Sequence, residues 1–157
     1  MAPARAARRR SGLRPRARAS RGRAIIAVVS AREEIRIPEL AEPLSHYTDA
    51  VRAGNLLFVS GFVPVDGDGN LVGRDDVVAQ TRQVFKNIGA VLAAAGAGFG
   101  DVVKVTVYLL DIDDRPLINT VRQEVFGDAR PASTLIEVSR LAVPGAKLEI
   151  EAVALVP

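Results

Sequence analysis

The chain has no cysteine or tryptophan, and only one histidine and one methionine among its 157 residues. The lack of cysteine excludes disulfides and thiolate metal sites, and the single histidine leaves few ligands for a transition metal. No apolar run reaches the roughly 20 residues of a membrane-spanning helix, and residues 24–29 are too few for a secretory apolar core. We therefore expect a soluble cytoplasmic protein that carries neither a metal ion nor a cofactor.

Acidic residues are absent from the first 23 positions, which hold nine of the 21 basic groups. The rest of the chain has 12 basic and 18 acidic groups, a net charge of −6. Residues 1–34 are rich in Ala and Arg and show no apolar periodicity, so they are predicted to be a disordered extension. Three origins stay open for it: a nucleic-acid-binding arm, a targeting segment, or a translation start assigned too far upstream. The acidic body gives no reason to expect a nucleic-acid partner.

Residues 35–157 have the size and apolar content of one domain. Residues 50–51 and 56–59 flank Gly54-Asn55, which predicts a hairpin whose second strand ends at Ser60-Gly61. The acidic turn 66–70 lacks the remaining ligands and the helical flanks of a calcium loop, so we expect no calcium there.

Two amphipathic helices follow in the pattern. The first is predicted to begin at Asp75-Asp76 and to end at Gly96, and the second runs from a cap at 111–114 to Gly127. The apolar stripe of the second helix is Leu117, Ile118, Val121, Val125 and Phe126. Between the helices, the alternation of Val103, Val105, Val107 and Leu109 predicts a strand with one buried face.

Two more strands, at 133–138 and 148–155, give the order β-β-α-β-α-β-β. This order predicts an α+β fold with both helices on one face of a single sheet. The last strand is apolar on both faces toward its end, because Val153 and Leu155 lie on one face and Ala152 and Ala154 lie on the other. We therefore expect another subunit to cover the second face.

Several short motifs carry a resemblance to a known family over residues 43–156. They are Val59-Ser60-Gly61, Gly89 to Gly96, Pro131-Ala132, Glu137-Val138 with Arg140-Leu141, and Glu149-Ile150-Glu151-Ala152. In combination they resemble the RidA (YjgF) family of imine and enamine deaminases. The resemblance implies a chorismate-mutase-like fold, a homotrimer, and ligand pockets in the clefts between subunits. No resemblance precedes Ile35, which favours the misassigned start.

The pocket positions of that family fall on five residues of this chain: Tyr47, Gly61, Asn119, Ser133 and Glu149. The resemblance implies that Glu149 is catalytic and positions the attacking water, whereas the other four bind substrate. A solvent-facing glutamate is the alternative for Glu149, and this structural interpretation is preferred for Glu151. His46, the only histidine, is interpreted as a surface or hydrogen-bonded residue.

Ser133 departs from the family pattern, which has an arginine that pairs with the substrate carboxylate. Serine offers one neutral hydroxyl in place of a bidentate, charge-assisted grip. The replacement predicts a neutral or differently anchored ligand, or weak binding of an imino acid. A carboxylate bound by Arg130, Arg122 or a neighbouring subunit's arginine would overturn this prediction.

Two functions therefore compete. The first is a RidA-like hydrolase that acts on a reactive enamine, imine or related small metabolite, with Glu149 and a bound water doing the chemistry. The second is a non-catalytic trimer that binds a small metabolite or a partner protein. A third function, the endoribonuclease activity of some relatives, is not supported by the sequence, because the acidic body lacks a basic groove with stacking aromatics.

Overall fold

The computed structural model describes residues 32–157, so the predictions for residues 1–31 lie outside the described part. An additional strand, β1 (Arg32–Ile35), begins three residues before the expected domain boundary. It adds one strand to the predicted order. Its side chains are mostly exposed, and it is held by antiparallel backbone pairing with the next strand.

The remaining elements follow the predicted order closely. They are β2 (Ala50–Ala53), β3 (Leu56–Phe62), α1 (Val77–Ala94), β4 (Val102–Leu109), α2 (Arg115–Phe126), β5 (Ala132–Glu137) and β6 (Leu148–Leu155). The six strands form one sheet in the order β1-β2-β3-β6-β4-β5. All neighbouring strands are antiparallel except β4 and β5. The predicted α+β fold, with two helices and a single mixed sheet, is confirmed.

Helix α1 begins where the sequence predicts. The Asp76 carboxylate caps it by accepting hydrogen bonds from the backbone N–H groups of Val78 and Ala79, at 2.9 and 3.0 Å. Its apolar stripe is buried against the sheet and α2. Phe85 and Phe126, one from each helix, meet Phe99 in edge-to-face contacts with ring centroids 5.6–5.9 Å apart. Burial of these apolar groups fixes both helices on the same face of the sheet.

Two apolar positions differ from the predicted burial. Val103 is 40% exposed, because a register irregularity between Val102 and Lys104 places Val102 on the buried face instead. Leu117 in α2 is 51% exposed, whereas Ile118 and Val121 are fully buried. Leu117 therefore lies at the margin of the apolar stripe and not within it.

The face of the sheet away from the helices is open in this chain and exposes apolar side chains among polar ones. Phe58, Ile136 and Leu155 are 46%, 42% and 45% exposed, respectively. They lie on three different strands, β3, β5 and β6. Within residues 32–157, no helix packs over this face, as the alternating pattern of β6 predicts.

Candidate functional site

Glu149 and Gly61 lie side by side on neighbouring strands. Strand β3 continues past its predicted end at Ser60-Gly61 to Phe62, with a register irregularity between Val59 and Phe62. A Cβ at position 61 would overlap Glu149 Oε1, and its other close neighbours are also atoms of the Glu149 side chain. Glycine is therefore required here to let the carboxylate lie against the backbone of β3.

The environment of Glu149 favours its protonated form. Burial raises the pKa of the Glu149 carboxyl above its usual range, and the negative charge of Glu151 raises it further. Both causes act in the same direction. A raised pKa makes this carboxyl a stronger base, which suits a group that accepts a proton from water and later returns it.

Tyr47 lines the same cleft as this pair. Together with Gly61 and Glu149 it lines a cavity of about 330 Å³. The Tyr47 Oη accepts a hydrogen bond of 3.1 Å from the Leu44 backbone N–H, which ties the ring to its own loop. The structure thus brings three of the five predicted site residues together in one chain.

The loop that carries Tyr47 is anchored at both ends. The buried Asp49 carboxylate accepts hydrogen bonds from the Ile37 backbone N–H and from Arg36 Nη1, each at 2.7 Å. Next to it, the Ser60 hydroxyl donates to the Thr48 carbonyl at 2.6 Å. These contacts connect the segment before β2 to β3 beside Gly61.

Glu151, two residues after Glu149 on β6, accepts a side-chain hydrogen bond. The Tyr108 hydroxyl donates a hydrogen bond of 3.2 Å to Glu151 Oε1. Burial raises the pKa of Tyr108, and the nearby charges of Glu151 and Glu149 raise it further. The contact gives Glu151 a local hydrogen-bond partner, and Glu151 lines a second cavity together with Glu149. His46 is exposed and is not among the residues that line the Tyr47 cleft.

Asn119 and Ser133 form a second group at the other end of the sheet. Arg122, one helical turn after Asn119 on α2, donates a hydrogen bond of 2.8 Å from Nη2 to the Ser133 Oγ on β5. Asn119, Arg122 and Arg130 line a cavity of about 420 Å³ beside this contact. The Ser133 hydroxyl therefore contacts a guanidinium, which is that of Arg122 on α2.

The two groups cannot meet within one chain. Strand β4 lies between β5 and β6, with Val105 opposite Ser133 and Tyr108 opposite Glu149. An offset of two strands and three residues separates the Cα atoms of Ser133 and Glu149 by roughly 14 Å. Since Val105 and Tyr108 are three residues apart, their side chains and those of their partners point to opposite faces of the sheet. A single chain therefore presents two incomplete halves of the predicted pocket.

The contact between Arg122 and Ser133 is the feature that the sequence alone did not identify. Arg122 was one of several arginines that the sequence left open as replacements. Its spacing of three residues from Asn119 places both on one side of a predicted helix. However, nothing in the spacing indicates which strand that side faces.

A family model described as endoribonuclease L-PSP matches residues 38–156. The chain belongs to this family, the RidA (YjgF) family. A RutC family protein of Pyrococcus horikoshii is 45% identical over 113 residues, which cover 72% of this chain and 89% of the relative. The 3-aminoacrylate deaminase RutC of Acinetobacter baylyi is 39% identical over 123 residues, covering 79% and 97%.

Solved structures of RidA-family proteins agree with this fold. The crystal structure of E. coli TdcF with bound serine superposes with a TM-score of 0.73 at 32% identity, covering 80% of this chain and 99% of that one. Among residues 32–157 there is no group of three or more acidic or histidine side chains suited to a metal ion. Within the same residues, neither helix is long and apolar enough to cross a membrane.

Proposed function

We propose that this protein hydrolyses a reactive imine or enamine to a carbonyl compound and ammonia, with Glu149 positioning and activating the water. The proposal is based on one observation. The Glu149 carboxylate packs directly against Gly61, in a cleft that Tyr47 also lines. Burial raises its pKa, which suits a group that must both take and give a proton.

The chemistry needs only water and one acid-base group. The Glu149 carboxylate accepts one proton from the water as the water oxygen adds to the C=N carbon, and it passes that proton to the imine nitrogen, which gives a carbinolamine. The carboxylate then takes the proton of the carbinolamine hydroxyl and delivers it to the nitrogen, so that the C–N bond breaks and ammonia leaves as the carbonyl forms. An enamine enters this sequence after a proton shift to its imine tautomer. The net reaction consumes one water for each ammonia released and requires no cofactor.

We further propose that the pocket is completed in a homotrimer. The two half-sites lie at opposite faces and different strands of one sheet, so a complete pocket requires Glu149 of one copy and Ser133 of another. The open face of the sheet, which exposes Phe58, Ile136 and Leu155, provides a surface for such contacts. Edge strand β5, which carries Ser133, is accessible to a neighbouring copy.

The curated relatives support a small nitrogenous substrate. One relative is named a 3-aminoacrylate deaminase, and 3-aminoacrylate is an enamine that bears a carboxylate. We do not propose ribonuclease activity, although the family description names it, because residues 32–157 carry a net charge of −6. RNA binding depends on clustered cations that neutralise phosphates. We place the reaction in the cytoplasm as part of the same proposal.

The test is hydrolysis of 2-iminopropanoate, generated in the assay by an amino-acid oxidase. We expect turnover by the wild type and a fall in kcat of about 100-fold or more in Glu149→Gln, because an amide cannot accept the proton. Glu39→Gln, which removes an exposed carboxylate outside the cleft, is the matched control and should leave kcat unchanged. Equal rates in the wild type and Glu149→Gln would refute the role of Glu149.

A second function is favoured by one observation, the serine at position 133. A non-catalytic trimer that binds a small metabolite or a partner protein would keep the cleft without the catalytic anchor. The same assay separates the two functions. Ligand binding by the wild type without turnover of any imine would establish the binding protein.

A further inference from the structure

Arg122 is a half-buried cation without a charged partner in the described chain. Its Nη2 is used by the Ser133 hydroxyl, but its Nε is buried and has no hydrogen-bond partner among residues 32–157. The ion pairs found in those residues involve Arg32, Arg36 and Arg82, and none involves Arg122. Burial lowers the pKa of Arg122, and no neighbouring acid opposes that shift.

Such an arrangement is costly unless an anion completes it. Removing a guanidinium from water without a counter-charge carries a desolvation cost that a paired anion offsets. A buried donor without a partner adds to that cost. A site that holds an anionic ligand only part of the time has these features, because the ligand supplies the missing counter-charge.

The surroundings define what the ligand group must be. The guanidinium borders a cavity of about 420 Å³, with the Asn119 amide one helical turn away on α2. The N–H donors that remain on its Nη1 and Nη2 atoms form a planar fork that matches the two oxygens of a carboxylate. The Ser133 hydroxyl accepts one Nη2 hydrogen bond and thereby fixes the orientation of that fork.

We infer that Arg122 binds the carboxylate of the ligand, and that Ser133 positions the guanidinium and does not itself contact the ligand charge. The inference rests on the proposed function for the identity of the reacting group, since it makes the substrate an imine or enamine that bears a carboxylate. It assigns the charge recognition to helix α2 and not to strand β5.

Binding of pyruvate, the carboxylate product of 2-iminopropanoate hydrolysis, tests the inference without requiring turnover. Titration calorimetry with the full-length protein would compare wild type, Arg122→Gln and Arg122→Lys with Arg115→Gln, which removes an exposed arginine from the start of the same helix. We expect Arg122→Gln to weaken pyruvate binding roughly ten- to hundredfold, the loss typical of a charge-assisted pair. Arg122→Lys should retain part of the affinity, and Arg115→Gln all of it. Pyruvamide, which lacks the charge, should bind all four proteins alike.

The outcomes separate this inference from the proposed function. Equal pyruvate affinity in the wild type and Arg122→Gln overturns the inference whether or not the imine is hydrolysed, and it assigns the guanidinium to another anion such as a neighbouring subunit's carboxylate. No pyruvate binding by the wild type overturns it as well. An Arg122-dependent affinity without imine turnover keeps the inference and refutes the hydrolase. If Arg122→Gln does not fold, the comparison of Arg122→Lys with wild type decides, and equal affinity for pyruvate and pyruvamide in both overturns the inference.

Discussion

Replacing Gly61 by alanine should displace the Glu149 carboxylate and leave the fold intact. The backbone of Gly61 does not lie in the left-handed region, so alanine can adopt its conformation. The new Cβ would overlap Glu149 Oε1, and its next neighbours at 3.0 and 3.2 Å are the Cδ and Cγ of the same side chain. Only Glu149 has to move, and the carboxylate is the flexible end of that side chain.

The size of the effect follows from the overlap. Real Cβ atoms essentially never approach another heavy atom within 3.0 Å, so the carboxylate must shift by at least about 1 Å. A displacement of about 1 Å at a reacting group can reduce the rate roughly 100-fold. We therefore expect Gly61→Ala to lower kcat/KM for 2-iminopropanoate about 100-fold, with a melting temperature at or slightly above that of the wild type.

A double-mutant comparison makes the prediction specific. In a Glu149→Ala background the overlap is gone, so Gly61→Ala should stabilise the fold by about 0.4–1 kcal/mol through the reduced entropy of the unfolded chain. Gly98→Ala is the matched control, because a Cβ there meets nothing within 4 Å and the φ of −141° suits alanine. Wild-type kinetics in Gly61→Ala would refute the reasoning. A destabilisation of equal size in both backgrounds would refute it as well, because the clash would then lie with the backbone.

The remaining predictions concern stability. Because the native pKa of Glu149 is raised, ionisation of this carboxyl disfavours the fold. The protonated carboxyl therefore adds to the free energy of unfolding below the ordinary glutamate pKa of about 4.3, and this stabilisation is lost as pH rises through the native pKa. The stability of Glu149→Gln relative to wild type, measured by urea unfolding, should therefore increase over that window and level off above it, and a pH-independent difference would contradict this. Asp49→Ala leaves the Ile37 N–H and the Arg36 guanidinium without their buried acceptor. It should lower the free energy of unfolding, measured in the same way, by about 1–3 kcal/mol. Asp68→Ala, an exposed aspartate, should cost much less.

The elements with strong periodicity were predictable from the sequence. Helix α1 follows from an aspartate cap and an apolar stripe, and β6 from strict alternation, because each pattern reports burial on one face. Strand β1 was not predicted, since its exposed Arg-Glu-Glu sequence buries no face and pairs only through its backbone. Val103 was assigned to the wrong face because a local register irregularity leaves no mark on the alternation.

The site was predictable only in part, for a related reason. Resemblance supplied Tyr47, Gly61 and Glu149, and the structure places them around one cleft. The dependence of Glu149 on the missing Cβ of Gly61 requires the register of two strands that are distant in sequence. The contact of Arg122 with Ser133 likewise depends on how α2 lies over the edge of the sheet, which the helix sequence does not specify.

The proposed division of each pocket between two copies of the chain has a consequence for inheritance. In the assembly proposed above, each pocket draws Glu149 from one copy and Arg122 from its neighbour. Two alleles, each defective in a different half, would then encode chains that are inactive alone but together form some intact pockets in mixed trimers. A cell carrying both would recover function that neither allele supplies, whereas two lesions in the same half would never compensate each other.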